Sequence, residues 1–169
     1  MRLLITGLAL LLTAAGPAPN YDWKLTPSGW GPVRIGMNRH QVENALKTKL
    51  EGEALDKGSC LDLYSSDERL EGLYFMFIEG KLSRISAWDT SIVATPRGIH
   101  VGSTADEVRA AYGSVLQAEP HHYVGAPAEY LTFWLIPQKS GVRFETDLSG
   151  KVETIHVGND TIQYIEGCA

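Results

Sequence analysis

One phrase of this chain occurs twice, and it restricts the fold more than any other feature. RIGMNRHQVENAL at residues 34–46 is matched by HVGSTADEVRAAY at residues 100–112. Gly36 falls on Gly102, Gln41 on Glu107, Val42 on Val108, Ala45 on Ala111 and Leu46 on Tyr112. A shorter phrase precedes each copy, Thr26-Pro27-Ser28-Gly29 and Thr95-Pro96-Arg97-Gly98. Another follows, Gly80-Lys81-Leu82 with Ile85 and Gly150-Lys151-Val152 with Ile155. Three phrases in one order, offset by 66 to 70 positions, imply an internal duplication.

Each copy predicts a short capped helix. Asn38 is placed to accept from the first turn and Gln41 to reach back to it. Thr104 and Glu107 repeat that capping box. Val42, Ala45, Leu46 and Leu50 then recur at helical spacing, with Gly52 as a stop; Val108, Ala111 and Tyr112 do the same, with Gly113 as terminator. Strand-like runs follow each helix. After the first they are 60–64, 73–78 and 81–88, with Glu79-Gly80 as a tight link. After the second they are 114–118, 130–136, 142–147 and 151–157. The last piece, 161–166, alternates weakly.

Tandem hairpins behind a helix give an α+β fold: two tandem repeats, each a short capped helix followed by an antiparallel sheet, with the helices packed on one face. Val142, Phe144 and Thr146 are expected under the helix, with Arg143, Glu145 and Asp147 on the other side. The run 73–78 is apolar on both faces, so a neighbour must cover Tyr74, Met76 and Ile78 or the alternate trio, or an apolar surface is displayed. The expected division is a signal peptide at 1–15, a flexible lead-in at 16–25, repeat 1 at 26–92, and repeat 2 with a C-terminal tether at 93–169. Neither repeat, at roughly 65–70 residues, buries enough surface to stand well alone, so the two are expected to share one compact domain.

The leader reading rests on Met1-Arg2, the apolar run 3–12 and the small residues Thr13-Ala14-Ala15. It implies a periplasmic or secreted chain with no stable membrane insertion after cleavage. Without Arg2 the chain keeps 14 basic and 20 acidic side chains, a net of −6, which disfavours nucleic acid. Two cysteines without a CxxC, in an exported chain, are most simply one disulfide, Cys60 to Cys168.

No GxSxG, HExxH, P-loop or GxGxxG pattern is present, so the expectation is a non-enzymatic binding module without a cofactor. Its candidate binding residues are Trp134, Tyr130, Trp88 and Tyr74 as an aromatic platform, Arg143 and Glu145 on the outward face of one strand, and His121, His122 and Tyr123 in a polar loop. The aromatic platform suits a protein loop or sugar rings. The adjacent histidines raise a metal-dependent hydrolase as a further alternative, although neighbours on a strand point to opposite faces, which works against joint ligation. No metal site is assigned.

The paired motifs Gly36-Met37 with Gln41-Val42 and Gly102-Ser103 with Glu107-Val108 resemble the tandem units of the β-lactamase inhibitory protein fold. They also resemble the related small envelope domains of the outer-membrane assembly lipoprotein BamE (SmpA). The likeness spans most of residues 26–157. Two differences stand beside it: no cysteine follows the expected cleavage site, and the chain has two cysteines in all, where each inhibitor repeat typically carries its own pair. The resemblance implies a binding surface made by a sheet across both repeats. With the duplication, the leader, the absent catalytic motifs and the doubly apolar run 73–78, the expected partner is a protein of the cell envelope, inhibitor-like or assembly-like.

Overall fold

A computed structural model describes residues 22–52, 54–55 and 59–168. The expected signal peptide and most of the lead-in lie outside the described residues. The elements are β1 (Leu25–Thr26), β2 (Gly29–Trp30), β3 (Val33–Arg34), α1 (Arg39–Leu46), β4 (Ala54–Leu55), β5 (Cys60–Leu63), β6 (Leu73–Ile78), β7 (Lys81–Trp88), α2 (Ala105–Tyr112), β8 (Gln117–Pro120), β9 (Glu129–Ile136), β10 (Ser140–Thr146) and β11 (Val152–Gly158). The fold is α+β, with two short helices and two antiparallel sheets. β1, β2 and β3 form a small sheet. The other strands form one sheet in the order β4-β5-β6-β7-β11-β10-β9-β8.

Both helices begin as their sequences predict. Asn38 accepts from the Gln41 amide at 2.9 Å while Gln41 Oε1 accepts from the Asn38 amide. Thr104 and Glu107 close the same ring. The turn ahead of each helix is also built alike. Gly36 (φ 91°) and Gly102 (φ 90°) sit in left-handed backbone that favours glycine. The Gly36 amide donates to Leu82 O at 2.7 Å, and the Gly102 amide to Val152 O at 2.7 Å. In return the Leu82 and Val152 amides donate to Met37 O and Ser103 O. Each helix is thereby pinned to one strand of the large sheet.

The first helix ends sooner than the apolar spacing suggests. α1 stops at Leu46 with Lys47 in left-handed conformation, and Leu50 is buried beyond the helix. α2 ends at Gly113, as expected.

One face of the large sheet carries the core. Phe75 pairs with Ile85 across β6 and β7, and Phe144 with Ile155 across β10 and β11. All four are fully buried with Val42 and Leu46 of α1 and Val108 and Tyr112 of α2. Each hairpin has a bulge one pair further on, between Met76 and Phe77 and between Glu145 and Thr146. Val142 and Phe144 lie under the helices as the alternation predicts. Thr146 is buried too, and its hydroxyl is tied to the Glu129 backbone at 2.9 and 3.1 Å.

The cover over β6 is the end of the chain. Residues Asp160–Gln163 form a 3-10 turn rather than a strand, because Arg84 fixes this segment through its carbonyls: Nη1 donates to Thr161 O at 3.2 Å and Tyr164 O at 3.0 Å. The segment then crosses the outer face to the Cys60–Cys168 disulfide, with Cα atoms 5.5 Å apart. Met76 is buried near Gly167 by this strap. Two further departures are local. The expected strand 114–118 starts as a 3-10 turn, Gly113–Val115, before β8. Residues 25–34 fold into the three-stranded sheet, which the sequence pattern does not indicate. There the buried Trp30 meets Trp23 edge to face at 5.1 Å and donates to Trp23 O.

Candidate functional site

The face of the sheet away from the helices is polar, and the register sets its rows. Tyr74, Ser86, His156, Arg143 and Thr132 lie side by side on five adjacent strands. Trp88, Thr154, Glu145 and Tyr130 form the next row. The strap closes one side. The result is a cleft of about 440 Å³ whose floor is Arg84, Ser86, Glu145 and His156 and whose rim includes Tyr74, Trp88 and Tyr164.

A hydrogen-bonded chain runs along the floor. Ser86 Oγ is 2.7 Å from His156 Nδ1, and His156 Nε2 is 3.3 Å from Glu145 Oε1. Burial, then the nearby Arg84 charge, holds the His156 imidazole below its ordinary range against the pull of Glu145. A neutral ring fits both partners when Nε2–H donates to Glu145 and Nδ1 accepts from the Ser86 hydroxyl. Burial raises the Glu145 carboxyl, but the His156 hydrogen bond and the His156, His121 and Arg143 charges outweigh it, so the net shift is downward.

Serine, histidine and glutamate in contact suggest acyl transfer, but among the described residues no free backbone amide stands beside Ser86. β7 and β11 are paired on both sides, so the amides around Ser86 belong to the sheet and offer no oxyanion hole. The arrangement locks a neutral imidazole and orients a carboxylate in a walled cleft.

Arg84 is the least compensated group there. Its side chain is 5 % exposed, Nη2 lies 3.8 Å from Asp62, and Nε has no hydrogen-bond partner among the described residues. Burial lowers the Arg84 pKa, and burial raises that of Asp62 despite the nearby guanidinium. Incompletely paired buried charge of this kind is costly, and where it persists it marks a functional-site candidate.

The structure brings together some of the sequence candidates and separates others. Tyr74, Trp88 and Glu145 line the cleft. Tyr74 stands 6.0 Å from Trp88 and 6.2 Å from Tyr64, making an aromatic row along the rim. Tyr130 and Arg143 are next to the cleft and buried, with the guanidinium 3.9 Å above the tyrosine ring. Trp134 shares this face but packs over Gly141 beside Ile162, away from the cleft. His121 and His122 diverge: His121 is buried and stacks on Tyr130 at 4.6 Å, while His122 is exposed against Tyr123. The Tyr123 hydroxyl reaches Glu166 of the strap, which raises the phenol pKa. Arg84, Ser86 and Asp62 are the residues that sequence reading missed. One signal was present: Ser86 and His156 are separated by 70 positions, the offset of the repeated Gly-Lys phrase around them.

Fold and site together define an α+β protein with a walled polar cleft on an open sheet face. No family model, curated protein or solved structure matches the chain.

Proposed function

We propose that this chain is an exported binding module that takes a protein partner on the outer face of its large sheet. The observation that carries this reading is the cleft. It combines exposed aromatic side chains, Trp88 at 51 % exposure with Tyr74 beside it, and a buried, under-compensated Arg84. Aromatic anchors at the rim of a desolvated polar floor are what a protein hot spot is built from. The disulfide supports an oxidising compartment, periplasmic or extracellular. Among the described residues no helix is long and apolar enough to cross a membrane.

The two-repeat reading belongs to this proposal. The palindromic strand order, the matched glycine turns, the two capping boxes and the two bulges all support descent from one duplicated unit. Such a unit resembles those of the β-lactamase inhibitory protein fold and the BamE-like envelope domains, which favours an inhibitor-like or assembly-like role.

Site-specific photocrosslinking in the native envelope tests the reading. A photoreactive residue at Trp88 is expected to capture a discrete protein partner, and the same residue at Asp106, on the exposed side of α2, is not. Capture from both positions, or from neither, overturns it. The Tyr64–Tyr74–Trp88 row favours a glycan as the second reading, since sugar rings lie flat on such aromatics. Glycan-array binding that disappears in Trp88→Ala would select it instead.

A further inference from the structure

We propose that the outer face of the second half of the sheet holds a divalent metal ion, zinc by its ligand chemistry, between His121, Glu145 and Glu153. One ligand atom from each of these side chains lies within 4.8 Å of the others. His121 Nε2 is 4.0 Å from Glu153 Oε1, beyond hydrogen-bond reach, and has no hydrogen-bond partner among the described residues. With zinc–ligand bonds of about 2.0–2.2 Å, a tetrahedral ion holds its ligand atoms about 3.5 Å apart, so binding draws these side chains together by about an ångström. Imidazole with carboxylates is a ligand set that zinc accepts.

Each ligand is placed by the fold. His121 continues β8, its amide donating to Ala128 O at 3.0 Å. Its ring is only 9 % exposed and is held flat on Tyr130, whose ring also carries the Arg143 guanidinium. Glu145 projects from near the end of β10. Glu153 is the extra residue of the bulge: Glu145 pairs with Thr154 and Thr146 with Val152, so Glu153 has no partner across the ladder and turns toward Glu145. Bulges re-aim side chains in this way beside functional sites.

The corresponding hairpin shows that the fold does not require these groups. There the bulge residue is Ser83, and the position matching Glu145 is Met76, buried under the strap. Acidic groups at both positions, with a buried histidine facing them, occur only in the second hairpin. Burial and the neighbouring Glu145 charge raise the Glu153 carboxyl, although His121 opposes this. Arg143, the nearby cation, is drawn toward Glu119 at 3.3 Å and over the Tyr130 ring. A shallow pocket lined by His121, Asp147, Leu148 and Glu153 leads from solvent to the cluster.

Two consequences follow from the geometry. The Tyr123 amide approaches His121 Nδ1 at 3.3 Å, so ligation through Nε2 requires the other tautomer and gives up that long contact, which moderates the affinity. Three protein ligands leave a fourth position open to water or to a donor atom from a partner. His122 takes no part, being exposed on the far side of the turn.

Calorimetric titration of the full chain with zinc chloride, after chelator treatment, tests the site. One ion per chain is expected, bound roughly tenfold or more weakly by Glu153→Gln, which changes a half-exposed side chain. His122→Ala is expected to bind as the wild type does. An absence of zinc uptake by the wild-type chain, or Glu153→Gln binding zinc as tightly as wild type, overturns the assignment. Either result leaves the protein-binding reading of the cleft untouched, because the titration contains no partner.

Discussion

The two halves of the large sheet agree on one face and disagree on the other. Toward the helices, Phe75 with Ile85 and Phe144 with Ile155 occupy matching places in hairpins of matching register. On the outer face, Tyr74, Met76 and Arg84 in one half stand where Arg143, Glu145 and Thr154 stand in the other. Ser86 and His156, which meet across the junction of β7 and β11, are themselves such a pair of matching positions. The inner face is constrained twice by one packing problem: a short helix must cover a hairpin, and close-packed cores tolerate little change in volume. The outer face has no such common constraint, so its chemistry is free to differ. Site residues therefore belong where the halves diverge.

The largest expected effect tests the agreement. Phe75 and Phe144 are both fully buried, so each change to alanine should cost about 3–5 kcal/mol, by lost transfer energy and a residual cavity. Urea denaturation of both variants checks this. Similar losses would sharpen the equivalence of the two hairpins. A loss at one position under half of that at the other would break it.

The disulfide belongs to the divergence. It ties Cys60 in the first half to a strap that follows the second, closing a separation of 108 residues. Replacing both cysteines by serine should cost about 2–4 kcal/mol, chiefly by freeing the unfolded chain. The structural signature should be one-sided. Hydrogen exchange is expected to rise in residues 160–168 and in β5 and β6, where the strap covers Met76, and to stay unchanged in β9. Uniform loss of protection would mean that the strap holds the whole sheet rather than one half.

How much of this was legible in the sequence follows the same division. The capping boxes and glycine turns are local, and Asn38, Gln41, Thr104 and Glu107 reveal them within four residues. Phe144 under the helix follows from strand alternation. The cysteine pairing was legible because the chain contains only two. The strap was not, because its path is set by Arg84, some 77 to 80 positions from the carbonyls it holds. The cleft was half visible. Tyr74, Trp88 and Glu145 are conspicuous as types, whereas Ser86 and His156 gain meaning only from the pairing of β7 with β11. Glu153 is the hardest case: simple alternation places it on the inner side of β11, and only the bulge turns it outward.

The smallest effect concerns one helical position that carries opposite charge in the two halves. Glu43 in α1 falls where Arg109 stands in α2. Glu43 is buried and accepts from Lys49 at 2.8 Å, Arg39 at 2.9 Å and the Leu50 amide at 3.2 Å. The Lys49 hydrogen bond above all, with the Leu50 and Arg39 contacts, outweighs burial and lowers its carboxyl to about 2. A carboxyl depressed in the folded state stabilises fully above its unfolded value of 4.5, and that contribution fades as pH falls toward 2. Glu43→Gln should therefore cost about 1.5–3 kcal/mol at neutral pH, the range for hydrogen bonds to a charged group. Its deficit relative to wild type should shrink between pH 5 and pH 2. Arg109 instead pairs with Glu129 at 2.7 Å in a half-exposed setting, so Arg109→Gln should cost less than about 1 kcal/mol. Denaturation midpoints across pH compare the two directly. If the Glu43→Gln deficit persisted unchanged at pH 2, packing rather than charge would be holding the end of α1, and the two helices would be more alike than their charges imply.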